Sequence, residues 1–183
     1  QNILKESLSY DPSTGKLWWA KRGKGRSIKN PAGCLQGRGY RTIKLEGKAY
    51  KTPLLESSLL NEKLDCRLLV KAETLQRTGS FKFRGAYNKI SNIPEDKKKN
   101  GIVAFSSGNH AQGVAAAAKI FGIETQIIMP KDAPAIKVAN TRSYGAQVLF
   151  YDRFKEDRSI IGEKLVKENG ATLVHPYDDP MIV

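Results

Sequence analysis

Residues 102–113 have the sequence IVAFSSGNHAQG, which contains a strand, a polar turn and the start of a helix. The four apolar residues from Ile102 to Phe105 match a short buried strand, and the small side chains from Ala111 onward match a closely packed helix. In open α/β sheets, ligands bind outside the carboxyl ends of the strands. The turn from Ser106 to His110 lies at such an end and is therefore the first candidate for a binding site.

Apolar runs of strand length alternate with segments of helical period along the rest of the chain. The predicted strands are 67–71, 102–105, 125–129, 147–150 and 172–174, and the predicted helices are 80–93, 111–121, 135–144 and 155–169. Parallel strands need crossover connections of this kind. The pattern predicts the α/β class, with an open parallel sheet that has helices on both faces. Gly122, Gly145 and Gly170 mark predicted helix ends, because glycine accepts the left-handed conformation found there.

The turn at residues 106–110 has the properties of an anion site. Free backbone N–H groups at the start of a helix, together with the positive end of the helix dipole, bind a carboxylate or phosphate oxygen. The alternative is a closely packed helix with a polar cap and no ligand. His110 taken by itself is typical of a capping or packing histidine.

A second motif, GSFKFRGAYN at residues 79–88, places Lys82 between Phe81 and Phe83. Neighbouring rings desolvate an amine and Arg84 adds a like charge, and both effects favour the neutral amine that imine formation requires. The alternative is a solvated lysine on a helix. Together the two motifs predict a site that forms an imine and binds a carboxylate.

The positive charge is concentrated at the front of the chain. Of the net charge of +13, residues 1–50 contribute +8, with 11 Lys and Arg against 3 Asp and Glu. Here a turn is predicted at 10–15, strands at 16–20 and 39–45, and a short return at 49–50, which makes a small antiparallel β segment with a cationic face. Such a face suits nucleic-acid phosphates, with Trp18 or Trp19 for stacking, and the alternative is a solvated charged surface.

Residues 1–50 resemble the N-terminal region of phage-type HNH endonucleases. The resemblance rests on YDPSTG at 10–15, Leu17, Trp19, Ala32-Gly33, Gly39-Tyr40, Ile43 and GKAY at 47–50. In that family the metal-binding histidines follow this region, whereas this chain has only His110 and His175, both in the second piece. We therefore expect neither nuclease activity nor a metal site.

Residues 52–183 resemble the N-terminal part of pyridoxal-phosphate-dependent threonine/serine dehydratases, the fold type II group that includes serine racemase. The motifs are TPLLES at 52–57, LQRTGSFKFRGA at 75–86, FSSGNHAQG at 105–113 and HPYDDP at 175–180. The predicted domains are a basic β-rich segment, 1–50, and a partial dehydratase, 51–183. Within the latter, the resemblance implies that 101–176 is a small α/β domain and that 51–100 is a fragment of a larger domain carrying the Schiff-base lysine.

The resemblance also implies a role for each residue of the two motifs. Lys82 would be the Schiff-base lysine and proton-transfer base, Phe81 would pack against the ring of pyridoxal 5′-phosphate, and Asn109 would bond its phenolic oxygen. Ser107 matches the second acid/base of the racemases. The loop that takes the substrate carboxylate would consist of Ser107, Gly108, Asn109 and His110.

The implied activity is β-elimination from L-threonine or L-serine, which yields a 2-oxo acid and ammonia. The family's glycine-rich phosphate loop would lie beyond Val183, so we expect impaired cofactor binding in this chain, and a homodimer when the chain is full length. Serine racemisation is one alternative. A nucleic-acid-binding N-terminal module on a catalytically inactive fusion remnant is another.

The composition bears on the compartment. Two cysteines, Cys34 and Cys66, are too few for a disulfide framework, and no apolar stretch approaches the roughly 20 residues of a membrane span. No basic and then apolar leader follows Gln1. We therefore expect a cytoplasmic protein that does not associate with membranes.

Overall fold

The computed structural model describes residues 8–11, 16–19 and 47–182. The described residues fall into two compact units, one that includes residues 51–72 and one that comprises 47–50 and 73–182. The domain boundaries predicted at residues 50 and 101 stay predictions. No helix of the described residues has the length and apolar character needed to cross a bilayer.

The N-terminal region contains one described hairpin. Strands β1 (Leu8–Asp11) and β2 (Lys16–Trp19) pair antiparallel, which confirms the strand predicted at residues 16–20. The turn predicted at 10–15 lies mostly outside the described residues, and the strand predicted at 39–45 lies wholly outside them. The short return predicted at Ala49-Tyr50 is wrong, because both backbone polar groups of Tyr50 bond to the side-chain amide of Gln76 instead of to a strand.

Residues 51–72 contain a second antiparallel pair. Strand β3 (Leu54–Glu56) pairs with β4 (Leu69–Lys71), and helix α1 (Ser58–Leu64) connects them. The run at 67–71 is thus a strand, as predicted, but it does not belong to the parallel sheet. All three residues of β4 are exposed, whereas parallel strands are covered on both faces.

The larger unit begins with two 3-10 turns, Glu73–Leu75 and Arg77–Gly79, and two helices, α2 (Lys82–Ser91) and α3 (Glu95–Lys98). The sheet strands are β5 (Ile102–Phe105), β6 (Thr125–Pro130), β7 (Gln147–Tyr151) and β8 (Thr172–Leu173). Three helices connect them in turn, α4 (Asn109–Phe121), α5 (Ala135–Ser143) and α6 (Arg158–Asn169). This arrangement confirms the predicted α/β class.

The four strands are parallel and lie in the order β7-β6-β5-β8. The chain moves outward from β5 to β7 and then returns to the opposite side of β5. The direction of winding therefore reverses between β5 and β8. In open α/β sheets the crevice at this reversal is where ligands bind.

Helix ends follow the local sequence. Gly122 and Gly170 adopt left-handed φ values of 65° and 67° and end α4 and α6, as predicted. Helix α6 begins at Arg158, three residues later than predicted. Asp157 causes the delay, since its carboxylate accepts a hydrogen bond of 2.7 Å from the Ser159 N–H and so caps the helix there.

The core lies on both faces of the sheet. One face carries Val103, Phe105, Ile128 and Tyr151, against which Ile161 and Leu165 of α6 pack. Gly162 permits this contact, because a Cβ there would lie 3.3 Å from the Phe105 ring. Helix α4, whose residues 110–118 are all buried, packs against β5, β6 and α2.

Candidate functional site

The carboxyl ends of β5 and β8 meet at the reversal point of the sheet. The turn at residues 106–108 follows β5, and Val174 to Pro176 follow β8. The imidazole of His110, at the start of α4, links the segment after β5 to the segment after β8: its Nε2 atom lies 3.0 Å from the Val174 carbonyl oxygen. The site predicted at the turn thus lies where the topology places ligand sites.

The turn presents free backbone donors. The Ser106 N–H donates to the Ile128 carbonyl, and the Gly108 N–H donates to the Ser106 hydroxyl at 3.1 Å. In the described part of the chain, no acceptor faces the backbone N–H groups at positions 107, 109, 110 and 111. These groups lie at the positive end of the α4 dipole, so the turn can bind an anionic oxygen.

Lys82 is the first residue of α2, and its ammonium points to the same edge of the sheet. Its Nζ donates to the Pro176 carbonyl oxygen at 2.6 Å and lies 5.3 Å from the centroid of the Phe81 ring. Phe81 is 58% exposed, so much of its side chain is accessible to a ligand. The amine and the free N–H groups of the turn therefore lie at the same edge of the sheet, where β5 and β8 end.

A glycine in α4 places this amine. A Cβ at Gly113 would lie 3.1 Å from both the Lys82 carbonyl carbon and the Phe83 nitrogen, closer than nearly all such contacts. The sequence suggested that the small residues of this helix allow a close approach to the sheet. The structure shows that Gly113 serves the approach of α2, which carries Lys82.

Two of the predicted neighbours of the amine, Phe83 and Arg84, do not act on it as expected. Phe83 does not flank it, because consecutive helix residues point about 100° apart. The Phe83 ring is fully buried, 5.9 Å from the Tyr87 ring. Arg84 does not act on the amine as a free like charge, since its guanidinium makes a two-point ion pair with Glu73 at 2.8 and 2.9 Å.

The other predicted site residues lie along the turn and the start of α4. Ser107 and Asn109 are exposed, and Gly108 is half-buried. The Asn109 Oδ1 accepts a hydrogen bond of 2.8 Å from Lys137 Nζ, on α5. The roles assigned to Ser107, Gly108 and Asn109 stay predictions, but the structure brings all three to the same edge as Lys82.

His110 is a buried neutral imidazole. Desolvation, opposed in part by the hydrogen bond to Val174 and strengthened by the charge of Lys82, lowers its pKa to about 4. Because a carbonyl only accepts, Nε2 carries the proton and Nδ1 is left as an acceptor. In the described part of the chain Nδ1 is buried and has no hydrogen-bond partner. His110 can therefore serve a carboxylate through its backbone N–H while its ring joins β8 to α4.

The segment after β8 forms a strap on α2, which we define as residues 176–182. Lys89 Nζ lies 2.8 Å from the Asp179 carboxylate, and the Asn88 amide donates to the Met181 carbonyl at 2.7 Å. At Gly85 a Cβ would lie only 2.2 Å from the Ile182 carbonyl oxygen. The strap thereby holds the Pro176 carbonyl beside Lys82.

The sequence did not predict three groups that contribute to the site: the Pro176 carbonyl, Gly113 and Lys137. A backbone carbonyl leaves no trace in residue type, and Lys137 stands in an ordinary amphipathic helix 28 positions after Asn109. Gly113 did have a signal, since glycine inside a helix usually has a packing reason.

Among the described residues no group of three His, Cys, Asp or Glu side chains lies close enough to hold a metal ion.

Comparison with known proteins gives three kinds of match. A family model described as pyridoxal-phosphate dependent enzyme matches residues 45–183. An L-threo-3-hydroxyaspartate ammonia-lyase of Pseudomonas sp is 52% identical over 140 residues, covering 76% of this chain and 44% of the relative. An L-threonine ammonia-lyase of Thermotoga maritima is 45% identical, covering 76% of this chain and 35% of the relative.

A solved structure has the same fold. The structure of maize serine racemase superposes with a TM-score of 0.72 at 35% identity, over 76% of this chain and 42% of that chain. The chain thus spans less than half the length of the relatives named here.

Proposed function

The chain belongs to the family of pyridoxal-phosphate dependent enzymes, and we propose that Lys82 binds the cofactor in an enzyme that eliminates water from 3-hydroxy amino acids. The predicted cofactor, pyridoxal phosphate, is confirmed by the family match. The observation that carries the proposal is the position of the Lys82 amine. It lies at the reversal point of a parallel sheet, at the same edge as a turn with free N–H donors.

The residues at this edge of the sheet fit three parts of the cofactor: its aldehyde, its ring and its phenolic oxygen. The aldehyde requires a lysine amine, which Lys82 provides with a carbonyl as its only described hydrogen-bond partner. The pyridine ring requires a flat apolar neighbour, and the exposed side chain of Phe81 is one. Asn109 supplies a carboxamide at the same edge for the phenolic oxygen.

The bound cofactor supplies an electron sink for the electrons of the Cα–H bond. Once the substrate amine had replaced Lys82 in the imine, the freed Lys82 Nζ would be the base that takes the α-proton. The free N–H groups of the turn at 107–111 hold the substrate carboxylate. The α-proton and the 3-hydroxyl would leave together as one water, and a second water would hydrolyse the resulting enamine to a 2-oxo acid and ammonia.

We propose L-serine and L-threonine as the substrates. The relatives act, by their names, on amino acids that share a hydroxyl at the β-carbon: 3-hydroxyaspartate, threonine and serine. The turn would contact only the α-carboxylate, which these three amino acids have in common. Discrimination at the β-carbon therefore has to be measured, with L-threo-3-hydroxyaspartate as the comparison.

Racemisation of serine is a second candidate, and Ser107 favours it. The Ser107 hydroxyl is exposed at the turn, and within the described residues it makes no hydrogen bond. A hydroxyl opposite Lys82 can return a proton to the other face of Cα. We expect Ser107→Ala to abolish formation of D-serine while elimination continues.

The proposal predicts product formation that depends on Lys82. The chain, supplied with pyridoxal phosphate, should release 2-oxo acid and ammonia from L-serine or L-threonine. Lys82→Arg keeps the charge but removes the amine, so it should lower the rate by about 1000-fold or more, in the range of lost acid–base and covalent catalysis. Lys131→Arg, on the exposed loop after β6, is the control and should keep the full rate. Equal rates in Lys82→Arg and the unsubstituted chain would contradict the proposal.

A further inference from the structure

Polar side chains join α5 to the start of α4. Lys137 Nζ donates to Asn109 Oδ1 at 2.8 Å, and one turn farther along Asn140 Nδ2 donates to Gln112 Oε1 at 3.0 Å. Gln112 is 2% exposed, and its own amide reaches the Gly108 carbonyl at 3.4 Å. Helix α5 is thus connected by hydrogen bonds to the turn that holds the candidate site.

The contact between Lys137 and Asn109 fixes the orientation of a carboxamide. An ammonium group only donates hydrogen bonds, so the Asn109 atom that faces Lys137 must be the oxygen. The NH2 group of Asn109 then points away from Lys137. A flipped amide would place two donors against each other, so Lys137 selects one of the two orientations.

The charge of Lys137 adds to this selection. Lys137 makes no ion pair with any carboxylate in the described part of the chain, and its half-buried stem lies 3.9 Å from the Cβ position of Gly108. Its ammonium therefore acts on Asn109 without a competing acidic partner. Charge-assisted hydrogen bonds of this length are stronger than neutral ones.

We propose that Lys137 is a positioning residue, which holds the Asn109 carboxamide with its NH2 group toward the phenolic oxygen of the cofactor. This inference rests on the proposed function, because it requires the cofactor to be bound at Lys82. The ammonium needs no contact with the cofactor or the substrate. It acts by fixing the orientation of the Asn109 carboxamide, so that the NH2 group and not the oxygen faces the site.

The first test needs no cofactor. In the 15N-labelled cofactor-free chain, Lys137→Met should shift the side-chain NH2 resonances of Asn109, because their amide loses its charged partner. Lys131→Met removes a lysine from the loop that precedes α5 and should leave these resonances unchanged. Unchanged resonances in Lys137→Met would overturn the inference.

The second test is a double-mutant cycle on the affinity for pyridoxal phosphate. Lys137→Met should weaken binding about 10-fold, the usual effect of removing a charged hydrogen-bond partner from a binding side chain. In an Asn109→Ala background the same substitution should change binding by less than about 2-fold, since its only route of action is gone. Lys137→Arg, which also only donates, should restore the affinity of the unsubstituted chain.

A spectroscopic readout separates positioning from general damage to the fold. Lys137→Met and Asn109→Ala should move the visible absorbance band of the bound cofactor in the same direction, because its phenolic oxygen loses the same donor. A full 10-fold effect of Lys137→Met in the Asn109→Ala background would overturn the inference. If the unsubstituted chain failed to bind the cofactor, the proposed function would fail and the inference with it, whereas binding that Lys137→Met leaves intact would contradict the inference alone.

Discussion

The amine of Lys82 occupies its position because of a residue without a side chain, Gly113, and a backbone carbonyl, that of Pro176. Because Gly113 has no Cβ, the backbone of the first turn of α2 can pack closely against α4; a Cβ there would lie only 3.1 Å from that backbone. The Pro176 carbonyl accepts a hydrogen bond from the amine. The ring of Phe81 is the remaining described contact. Packing thus holds the lysine that the sequence motif indicates at the edge of the sheet where a ligand would bind.

At the same scale, the buried imidazole of His110 predicts a pH dependence of stability. In the folded chain the pKa of the His110 imidazole is lowered from 6.5 to about 4. Between these two pH values the imidazole is therefore largely protonated in the unfolded chain but neutral in the folded chain. Stability is therefore complete above pH 6.5 and is lost as the pH falls toward 4. This group should remove about 2 kcal/mol between pH 7 and pH 5.

Urea unfolding at several pH values measures this loss. His110→Gln keeps a donor for the Val174 carbonyl but does not titrate, so its free energy of unfolding should fall less over the same pH range. Identical pH dependence in the two chains would show that His110 is not the group responsible.

Among the helices and strands, α2 and the strap determine the geometry of the site. One face of α2 carries Gly85, Asn88 and Lys89, each of which contacts the strap. The side chains of Lys89 and Asp179 are 25% and 11% exposed, so their ion pair is largely shielded from water. The strap is therefore a fixed part of the site, and it orients the Pro176 carbonyl toward Lys82.

Asp179→Asn tests the strap. The substitution keeps the oxygen that caps the Met181 N–H at 2.8 Å and removes only the charge opposite Lys89. We expect a loss of about 1–2 kcal/mol in the free energy of unfolding, between the values for exposed and buried pairs, and faster hydrogen exchange in residues 177–182. Asp178→Asn is the matched control, since the Asp178 side chain is exposed and makes no described bond. Equal exchange rates in the two variants would contradict the role assigned to the ion pair.

The helices and strands of the sheet could be predicted from sequence, whereas the inner geometry of the site could not. Ile102 to Phe105 and the glycines that end α4 and α6 carry local signals, namely an apolar run and a need for left-handed φ. The contacts of Phe83 and Arg84 depend on what α2 packs against, which no local pattern reveals. For the same reason the strand at 67–71 was assigned to the wrong sheet.

At the scale of the whole molecule, the direction of winding brings the site together. The first paired residues of β5 and β8, Ile102 and Thr172, are 70 positions apart in the sequence, because β6 and β7 come between them. The two strands nevertheless pair directly. Their carboxyl ends carry the turn at 106–108 and the connection to the strap. The order of the parallel strands therefore places the Lys82 amine, the turn at residues 106–108 and His110 at one edge of the sheet.

The N-terminal region carries more than half of the net charge of the chain. Residues 1–50 contribute +8 of the net charge of +13, and most of them lie outside the described residues. Contact with nucleic acid through this region, the resemblance to endonucleases and a cytoplasmic location all stay predictions. The family match begins at residue 45, so it reaches only the end of this region.

The most direct measurement of the central claim is the site of covalent labelling. The chain is incubated with pyridoxal phosphate, reduced with borohydride, digested and mapped by mass spectrometry. We expect one dominant adduct, on the peptide that contains Lys82, and its loss in Lys82→Arg. An adduct spread over the other lysines, with Lys82 unmodified, would contradict the assignment of Lys82 as the residue that binds the cofactor.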